Sequence, residues 1–301
     1  MKRILITGAT GNIGFELIHY LMQSKSDCEV IAAGRPVEKM KKRFQDDLNL
    51  SFVPFDFENT DSFKAAFKEI DILFLLRPPH ISEVEKYFRP LLNSAKEHGI
   101  DQVVFLSVQG AEKSKVIPHN KIERLIEELE FSYIFLRPSY FMQNLTTTLL
   151  PEIVKERSIT LPSGNAKFNW IDIRNIGEAT AKLILRFEEY ENKSLEITGS
   201  ENENFTEVAR LISEITGEKI SFESMNPFRF YFKKRKEGME RGFAMVKTML
   251  HFLPRFHSEP HISGEYQLLT GKNPTTLRDF IEREKELITT PWQNSKPLQE
   301  S

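Results

Sequence analysis

The chain has 301 residues, of which 40% are hydrophobic and 28% are charged, and its formal net charge is −2. This length allows one large or two ordinary domains of a globular protein, and the near-neutral charge gives no indication of a nucleic-acid or membrane surface. The single cysteine, Cys28, excludes an internal disulfide, fits a reducing compartment and reads as strand packing rather than as a nucleophile.

Strands and helices alternate through the first half of the chain. Apolar runs predict strands at 2–7, 28–33, 50–55, 70–76, 102–107 and 132–136. Ser82 and Glu85 predict a capping box for the fourth helix, and Gly99 predicts its end. Alternating strands and helices predict parallel βαβ units, and therefore an α/β fold with a doubly wound (Rossmann) sheet.

The pattern is less regular in the second half, where the chain favours helices around one further strand. We predict helices at 140–149, 174–187, 205–217, 226–256 and 277–288, and a strand at 195–198. Asn204 with Glu207 caps the third of these helices, and Thr276 caps the last. We therefore expect a dinucleotide-binding domain over 1–150, rejoined by 170–198, and a smaller, mostly helical substrate-binding lobe over 151–301 with a loose polar tail from 289.

The most informative segment is residues 4–14, Ile-Leu-Ile-Thr-Gly-Ala-Thr-Gly-Asn-Ile-Gly. A strand ends on Gly8, and the apolar helical pattern begins directly after Gly11, with Gly14 in the first turn. Glycines between a strand and a helix leave backbone N–H groups and the positive end of the helix exposed, and this arrangement binds the pyrophosphate of a dinucleotide. The alternative is a tight strand-to-helix turn without a ligand.

Arg35 distinguishes between the two common dinucleotides. NAD sites carry a carboxylate at the end of the second strand, but this strand ends in Gly34-Arg35-Pro36. A guanidinium there favours a 2′-phosphate, and basic residues follow at Lys39, Lys41, Lys42 and Arg43. We therefore predict NADP, with Arg35 as an ordinary surface charge as the alternative.

Two further strand ends belong to the predicted cofactor site. Asp56 follows the third strand and either accepts a hydrogen bond from the adenine amino group or caps the next helix. Leu76 and Arg77 end the fourth strand, where the backbone passes the cofactor at the carboxyl edge of the sheet. Arg77 reaches a phosphate or a substrate anion, or is a surface residue.

Several segments together resemble the NmrA-like group of atypical short-chain dehydrogenases. They are residues 8–14, 34–36, 105–107, 119–123, 136–144, 172–176 and 276–280. The group includes NADPH-dependent quinone reductases, triphenylmethane dye reductases, phenylpropanoid ether reductases and NADP-sensing regulators. The resemblance implies that the pyrophosphate is held by Gly8, Thr10, Gly11, Asn12, Ile13 and Gly14.

The chain departs from the wider superfamily at the catalytic tyrosine. The resemblance implies that Lys121 binds the nicotinamide ribose and that Ser107 orients the carboxamide or the substrate, unless its hydroxyl only satisfies backbone at a strand end. The tyrosine expected four residues before Lys121 is replaced by Ile117. His119 is the nearest candidate acid, although a surface histidine is the alternative, and Tyr140 is a candidate substrate contact.

The missing tyrosine limits the acceptor. Hydride transfer to a simple ketone needs an acid close by, whereas a quinone gives a delocalised phenolate and a cationic dye needs no proton. We therefore expect a reductase of an aromatic or conjugated electrophile. Its flat apolar pocket is predicted from eight aromatic residues, each of which could instead be core: Tyr140, Phe141, Phe168, Trp170, Phe228, Phe230, Tyr231 and Phe232.

The remaining signals concern partners and location. The run Lys233 to Lys236 fits a solvated helix face better than an anion or partner site, and His257 with His261 forms no metal site. We expect no nucleic-acid or membrane partner, a monomer or homodimer, and, without a visible targeting segment or spanning helix, a cytoplasmic location. The second functional hypothesis is a non-catalytic NADP(H) sensor that binds a protein partner.

Overall fold

The protein is described by a computed structural model that covers residues 1–24, 26–44 and 50–290. The strands, numbered along the chain, are β1 (Lys2–Thr7), β2 (Cys28–Gly34), β3 (Leu50–Pro54), β4 (Ile72–Leu76), β5 (Gln102–Leu106), β6 (Ser132–Pro138), β7 (Tyr140–Phe141), β8 (Ser158–Leu161), β9 (Phe168–Ile171), β10 (Lys193–Ile197), β11 (Asn202–Glu203) and β12 (Ser221–Ser224).

The helices surround these strands and continue beyond them. They are α1 (Asn12–Gln23), α2 (Val37–Phe44), α3 (Asp61–Ala66), α4 (Val84–Glu97), α5 (Pro118–Glu128), α6 (Leu150–Glu156), α7 (Ile173–Leu185), α8 (Phe187–Tyr190), α9 (Phe205–Thr216), α10 (Pro227–Lys236), α11 (Arg241–Phe252), α12 (Glu265–Thr270), α13 (Leu277–Arg283) and α14 (Lys285–Thr289). Short 3-10 turns lie at Ala111–Lys113, Met142–Leu145 and Leu253–Phe256.

Seven parallel strands form the central sheet, in the order β3-β2-β1-β4-β5-β6-β10. The chain order reverses between β1 and β4, and in doubly wound folds ligands bind at the carboxyl ends of the strands at this switch point. Separate apolar clusters cover the two faces of the sheet, one of which includes α1 and α7. The predicted doubly wound α/β fold is confirmed.

Close packing of α1 on α7 fixes the position of the first helix. A Cβ on Gly177 of α7 would lie 2.7 Å from Cβ of Glu16 and 2.9 Å from its carbonyl carbon. Because only a glycine allows two helix backbones to approach so closely, α1 is held against α7 as well as against the sheet. The helix that begins at the glycine turn is therefore buried along its inner side.

A second group of elements forms a lobe with its own apolar core. Two small sheets, β11-β9-β7 and β12-β8, pack with α6, α9 and α13. Trp170, Phe205, Phe230 and Phe280 are fully buried in this core. Strand β10 lies beyond the start of the lobe in sequence but belongs to the central sheet.

Two sequence predictions are wrong. No helix spans 140–149: Tyr140–Phe141 is strand β7, paired with β9, and is followed by a 3-10 turn before α6 begins at Leu150. Pairing with β9 satisfies backbone groups that a helix would have satisfied internally. Ser82 forms no capping box, since α4 begins at Val84 after Glu83 without a side-chain cap.

Other predictions agree with the structure. Each strand of the central sheet begins and ends within two residues of its predicted range, and the predicted caps at Asn204 and at Thr276 are present. The predicted helical segments 226–256 and 277–288 are each divided in two. Most of the predicted loose tail, 291–301, lies outside the described residues.

Within the described part of the chain, none of the helices combines the length and the apolar character that crossing a bilayer requires.

Candidate functional site

The turn between β1 and α1 has a backbone geometry that only glycine allows at two positions, Gly8 and Gly14. Gly8 has a φ of +66°, which only glycine adopts readily, and its carbonyl accepts a hydrogen bond of 2.9 Å from the N–H of Gly11. A Cβ on Gly14 would lie 2.3 Å from the carbonyl oxygen of Gly8. The first turn of α1 therefore rests directly on the loop, with its free N–H groups at the carboxyl edge of the sheet, and this geometry fits a pyrophosphate.

Thr7 fixes the strand end that carries this turn. Its hydroxyl donates to the carbonyl of Phe74 at 3.0 Å and accepts from the N–H of Leu76 at 2.9 Å. These bonds tie the ends of β1 and β4 together and bring Leu76 beside Gly8, where an added Cβ would lie 3.2 Å from Cδ2 of Leu76. Gly8 and Leu76, which were predicted separately as cofactor-site residues, thus lie side by side. Thr7 itself was not predicted, because an alternating strand pattern does not show which polar residue is buried.

Arg35 and Asp56 meet at the ends of β2 and β3. The Nη1 group of Arg35 donates to Oδ2 of Asp56, while Oδ1 of Asp56 accepts the N–H of Glu58 at 3.0 Å. The Asp56 carboxylate is nearly buried, and the Arg35 side chain is 62% exposed. Asp56 thus stabilises its own turn and orients Arg35, whose open side faces solvent.

A second guanidinium lies against the glycine turn. The Nη1 group of Arg43 donates to the carbonyl of Thr10, and its guanidinium stacks over the Phe15 ring at 4.7 Å. The Phe15 ring stacks in turn on Phe44. Burial lowers the pKa of Arg43 from its ordinary value. Arg43 is therefore a fixed charge beside the turn, whereas its sequence position indicated only a general positive field.

Two buried polar atoms at the other end of the site have no hydrogen-bond partner among the described residues. They are Oγ of Ser107, which is 2% exposed after β5, and Oδ1 of Asn120, which is 6% exposed in the first turn of α5. Leaving such an atom unpaired costs about 1–3 kcal/mol. The unpaired atoms therefore fit a ligand that completes them. Asn120 was not predicted, although it lies between two predicted site residues.

His119 and Arg77 form a partly buried pair. The Nη1 group of Arg77 donates to the carbonyls of Pro78, Pro79 and Ile81, and its Nε lies 3.4 Å from Nε2 of His119. Because arginine only donates, Nε2 accepts and the His119 proton is on Nδ1. Burial and the charge of Arg77 lower the pKa of His119 to about 3. His119 is thus neutral near pH 7, which argues against a role as proton donor.

Arg77 is neither a free surface charge nor an open anion site. Its hydrogen bonds to three carbonyl groups stabilise the loop after β4, and burial lowers its pKa.

Lys121, in contrast, is exposed on α5, with no ion pair in residues 1–24, 26–44 and 50–290. The side chain of Glu123 on the same helix accepts two hydrogen bonds from Arg137, at 3.0 and 2.7 Å, and these anchor α5 to β6. The role of Lys121 at the ribose stays a prediction.

Tyr140 lies in an aromatic cluster rather than alone. Its ring contacts Phe168, Trp170 and Phe205 at centroid distances of 5.3, 4.9 and 6.0 Å. Its hydroxyl lies 3.0 Å from Nε2 of His251, whose Nδ1 donates to the carbonyl of Lys247. Tyr140 is therefore the donor. Burial raises the pKa of Tyr140 and lowers that of His251 to about 4.

The other aromatic residues of the predicted pocket are divided. Phe168, Trp170 and Phe230 are buried in the core of the lobe, whereas Phe228 and Phe232 are exposed. Two surface clefts are described. One of about 420 Å³ is lined by Asn165, Ala166, Lys167, Pro254, Arg255, His257, Ser258 and Glu259, and one of about 170 Å³ by Glu201, Glu203, Glu207, Arg210, Leu211, Leu277 and Arg278. Neither includes a residue of the glycine turn, so the apolar pocket stays a prediction.

The structure also bears on the predicted absence of a metal site. No group of three or more His, Cys, Asp or Glu side chains within the described ranges is arranged to hold a metal ion. His261 instead lies 3.2 Å from a carboxylate oxygen of Glu196. The basic run from Lys233 is only partly solvated, because Lys233 pairs with Glu152 at 3.0 Å and Lys234 with Glu237 at 2.8 Å.

Comparison with known sequences shows similarity along most of the chain. The model of the NmrA-like family matches residues 1–280. Prestalk A differentiation protein A of Dictyostelium discoideum is 28% identical over 98% of this chain and 96% of its own length. The NAD(P)H azoreductase of Xenophilus azovorans is 25% identical over 92% of this chain and 96% of its own.

Solved structures share the fold at lower identity. The NADPH-dependent quinone oxidoreductase of Escherichia coli, complexed with NADPH, has a TM-score of 0.83 at 19% identity and covers 93% of this chain and 99% of its own. Triphenylmethane reductase of Citrobacter sp., complexed with NADP(H), has a TM-score of 0.79 at 22% identity with the same coverage. NmrA, a negative transcriptional regulator in complex with NADP, has a TM-score of 0.72 at 14% identity over 93% of this chain and 94% of its own.

Proposed function

The chain belongs to the NmrA-like family, and from this premise we propose that it is an NADPH-dependent reductase that transfers hydride to a conjugated electrophile such as a quinone or an aromatic dye. When bound, the cofactor supplies the hydride. The protein supplies binding, orientation and electrostatics.

The cofactor half of the proposal is supported by the glycine turn and its two arginines. Helix α1 begins after Gly11 without a side-chain cap, so backbone N–H groups of its first turn are free to bind phosphate at the glycine turn. Arg35 and Arg43 lie at the end of β2 and on α2, where the adenosine 2′-phosphate of NADP is expected. The relatives complexed with NADP(H) and NADPH have the same fold. Ser107, Asn120 and Lys121 would hold the nicotinamide end.

The acceptor class is supported by one observation, the absence of a suitable acid among the candidate residues. Ile117 stands where the superfamily has its tyrosine, His119 is neutral with a pKa of about 3, and the raised pKa of Tyr140 makes it a weak acid engaged with His251. General acid catalysis needs a pKa near the working pH. An acceptor whose reduced form is a stabilised anion or a neutral molecule does not depend on such a group.

The experiment that tests the reductase is a panel of acceptors with the purified protein. We expect loss of the NADPH absorbance with quinones and cationic triphenylmethane dyes, and none with unactivated ketones of similar size. The Ser107→Ala variant should raise KM for NADPH, while Ser221→Ala, on an exposed strand, should change nothing. Turnover of the ketones at the rate of the quinones would contradict the proposed acceptor class.

The second candidate is an NADP(H) sensor without catalysis. It is favoured by the fold shared with a negative transcriptional regulator in complex with NADP. A sensor must distinguish the oxidised from the reduced cofactor. Calorimetric affinities for NADP⁺ and NADPH that differ strongly, together with no turnover of any acceptor, would favour the sensor over the reductase.

A further inference from the structure

Helix α11 presents its apolar side to solvent. The residues that it buries are Ala244, Thr248 and His251, two of which are polar. Its outward face consists of exposed apolar residues and continues into the following 3-10 turn: Met245, Val246, Met249, Leu250, Leu253 and Phe256. Surface helices of globular proteins have the opposite arrangement, with apolar residues inside and polar residues outside. The outward face is therefore unsuited to water.

The segment that contains this helix is strongly basic. Residues 227–256, which we call the α10–α11 hairpin, hold eight Lys or Arg and two Glu, and the difference is +6. Since the whole chain has a net charge of −2, the rest of it carries −8. Positive charge is thus concentrated where the exposed apolar residues are.

Much of this charge is not neutralised within the protein. Lys233 and Lys234 pair with glutamates, but Arg229, Lys236, Arg241 and Arg255 are exposed and form no ion pair within the described part of the chain. Arg255 lies over the Phe252 ring at 5.5 Å, and Arg241 begins α11. Free cations and exposed apolar side chains therefore occur together in one short hairpin.

We propose that the α10–α11 hairpin docks this protein on the surface of an anionic lipid bilayer. The outward face of α11 would lie at the boundary between headgroups and acyl chains, and the free cations would contact lipid phosphates. A second copy of the chain fits less well, because two hairpins of +6 repel each other. Such docking leaves the helix parallel to the bilayer, and no spanning segment is needed.

The location would suit an apolar acceptor. If the chain is a reductase of conjugated electrophiles, a consequence that rests on the proposed function, docking brings it to molecules dissolved in the bilayer. Lipid binding itself depends only on the hairpin, and it is measured by sedimentation with vesicles, without any turnover of an acceptor.

The test is co-sedimentation of the full chain with large vesicles. We expect binding to phosphatidylcholine mixed with phosphatidylglycerol, little binding to phosphatidylcholine alone, and weaker binding as salt increases. Val246→Glu with Leu250→Glu, and separately Lys236→Glu with Arg241→Glu, should each lower binding by about tenfold or more. All four residues lie outside the proposed cofactor site, so these variants should bind NADPH as tightly as the unchanged protein does. An unchanged NADPH affinity therefore shows that the variants are folded.

A matched control distinguishes binding through the hairpin from non-specific hydrophobic binding. Leu268 on α12 is an exposed leucine like Leu250, with 76% of its surface accessible, and it lies outside the hairpin. Leu268→Glu should bind vesicles as the unchanged protein does. The proposal is overturned if no vesicle composition binds the protein, if Leu268→Glu reduces binding as much as the hairpin variants, or if Leu250→Glu dissociates a dimer that shows no lipid binding.

Discussion

Gly14 shows how strongly one missing side chain shapes the site. The atoms that an added Cβ would meet are backbone, the carbonyl oxygen of Gly8 at 2.3 Å and Cα of Ala9 at 2.9 Å, which cannot rotate away. Gly14→Ala should therefore move α1 off the turn, lower the free energy of unfolding by about 1–3 kcal/mol and weaken NADPH binding. Thermal unfolding and calorimetry measure the two effects.

Gly264 provides the control for this substitution. It precedes α12 with a φ of −85°, and nothing lies within 4 Å of an added Cβ. Gly264→Ala should leave NADPH affinity unchanged. If Gly14→Ala binds NADPH as tightly as Gly264→Ala does, the turn is not the pyrophosphate site.

Arg35 and Arg43 are expected to set the preference for NADPH. Hydrogen bonds to charged groups contribute about 1.5–3 kcal/mol, so Arg35→Ala and Arg43→Ala should each weaken NADPH binding by roughly tenfold to a hundredfold. NADH, which lacks the phosphate, should bind Arg35→Ala with little change, and Arg43→Ala, which also loses the bond to the Thr10 carbonyl, should weaken NADH binding less than NADPH binding. Arg210→Ala, an exposed arginine on α9, is the control. Equal losses of affinity for NADPH and NADH would show that the arginines do not bind the 2′-phosphate.

The sequence reveals some site residues and conceals others for physical reasons. The glycines are visible because the backbone geometry of the turn demands them at fixed positions, whereas Ser107 was identified only by the resemblance to a family. Thr7 and Asn120 acquire their importance from burial, and Arg43 acquires its importance from a hydrogen bond to Thr10, which is distant in sequence. A single sequence does not show which polar side chain tertiary packing encloses.

At the scale of elements, Asp172 joins three of them. The fully buried carboxylate accepts from the N–H of Arg174 at the start of α7, from Nε2 of Gln143 at 2.6 Å and from Nη1 of Arg283 at 2.7 Å. Asp172→Ala would leave Arg283 and Gln143 without their partner. We expect a loss of about 3–5 kcal/mol in the free energy of unfolding, measured in urea.

An ordinary helix cap gives the comparison for this loss. Thr276 caps α13 through a capping box with Asp279, and Thr276→Ala should cost about 1 kcal/mol. A loss for Asp172→Ala no greater than that for Thr276→Ala would mean that the three-element junction adds nothing beyond the cap of α7.

Element prediction succeeded where the pattern had one structural solution. Apolar runs between turn signals located the strands of the central sheet to within two residues. The segment 140–149 failed because its apolar residues suit a helix or a strand equally, and only pairing with β9 decides between them. The predicted capping box at Ser82 failed because helix α4 starts one residue later than the pattern indicated, with Glu83 in the cap position.

At the scale of the whole molecule, net charge is a poor guide to surface character. The value of −2 gave no indication of a membrane surface, yet it is the balance of a hairpin at +6 and a remainder at −8. The exposure of the outward face could not be predicted either, because periodicity identifies the apolar side of a helix without showing which way it turns.

Buried titratable groups make stability depend on pH. Burial lowers the pKa of His119 to about 3 and that of His251 to about 4, so between these values and about 6.5 the unfolded chain binds protons that the folded protein does not. Each group therefore contributes stability that is complete above pH 6.5 and is lost as pH falls, by about 1.4 kcal/mol per pH unit. Glu203 has the opposite effect on stability. Burial and the neighbouring Glu207 raise its pKa to about 7, so its contribution to the free energy of unfolding falls as pH rises from about 4.5 to about 7.

Because these contributions partly cancel, the prediction concerns the difference between two proteins. His251→Gln keeps an amide that can accept from Tyr140 but does not titrate. Between about pH 6.5 and pH 5, the free energy of unfolding of this variant should fall less steeply than that of the unchanged protein, by about 1.4 kcal/mol per pH unit. Urea unfolding at several pH values measures both slopes, and His257→Gln, an exposed position, is the control. Parallel slopes for the unchanged protein and His251→Gln would mean that His251 takes up its proton over the same pH range in the folded and the unfolded protein, and this would contradict the prediction.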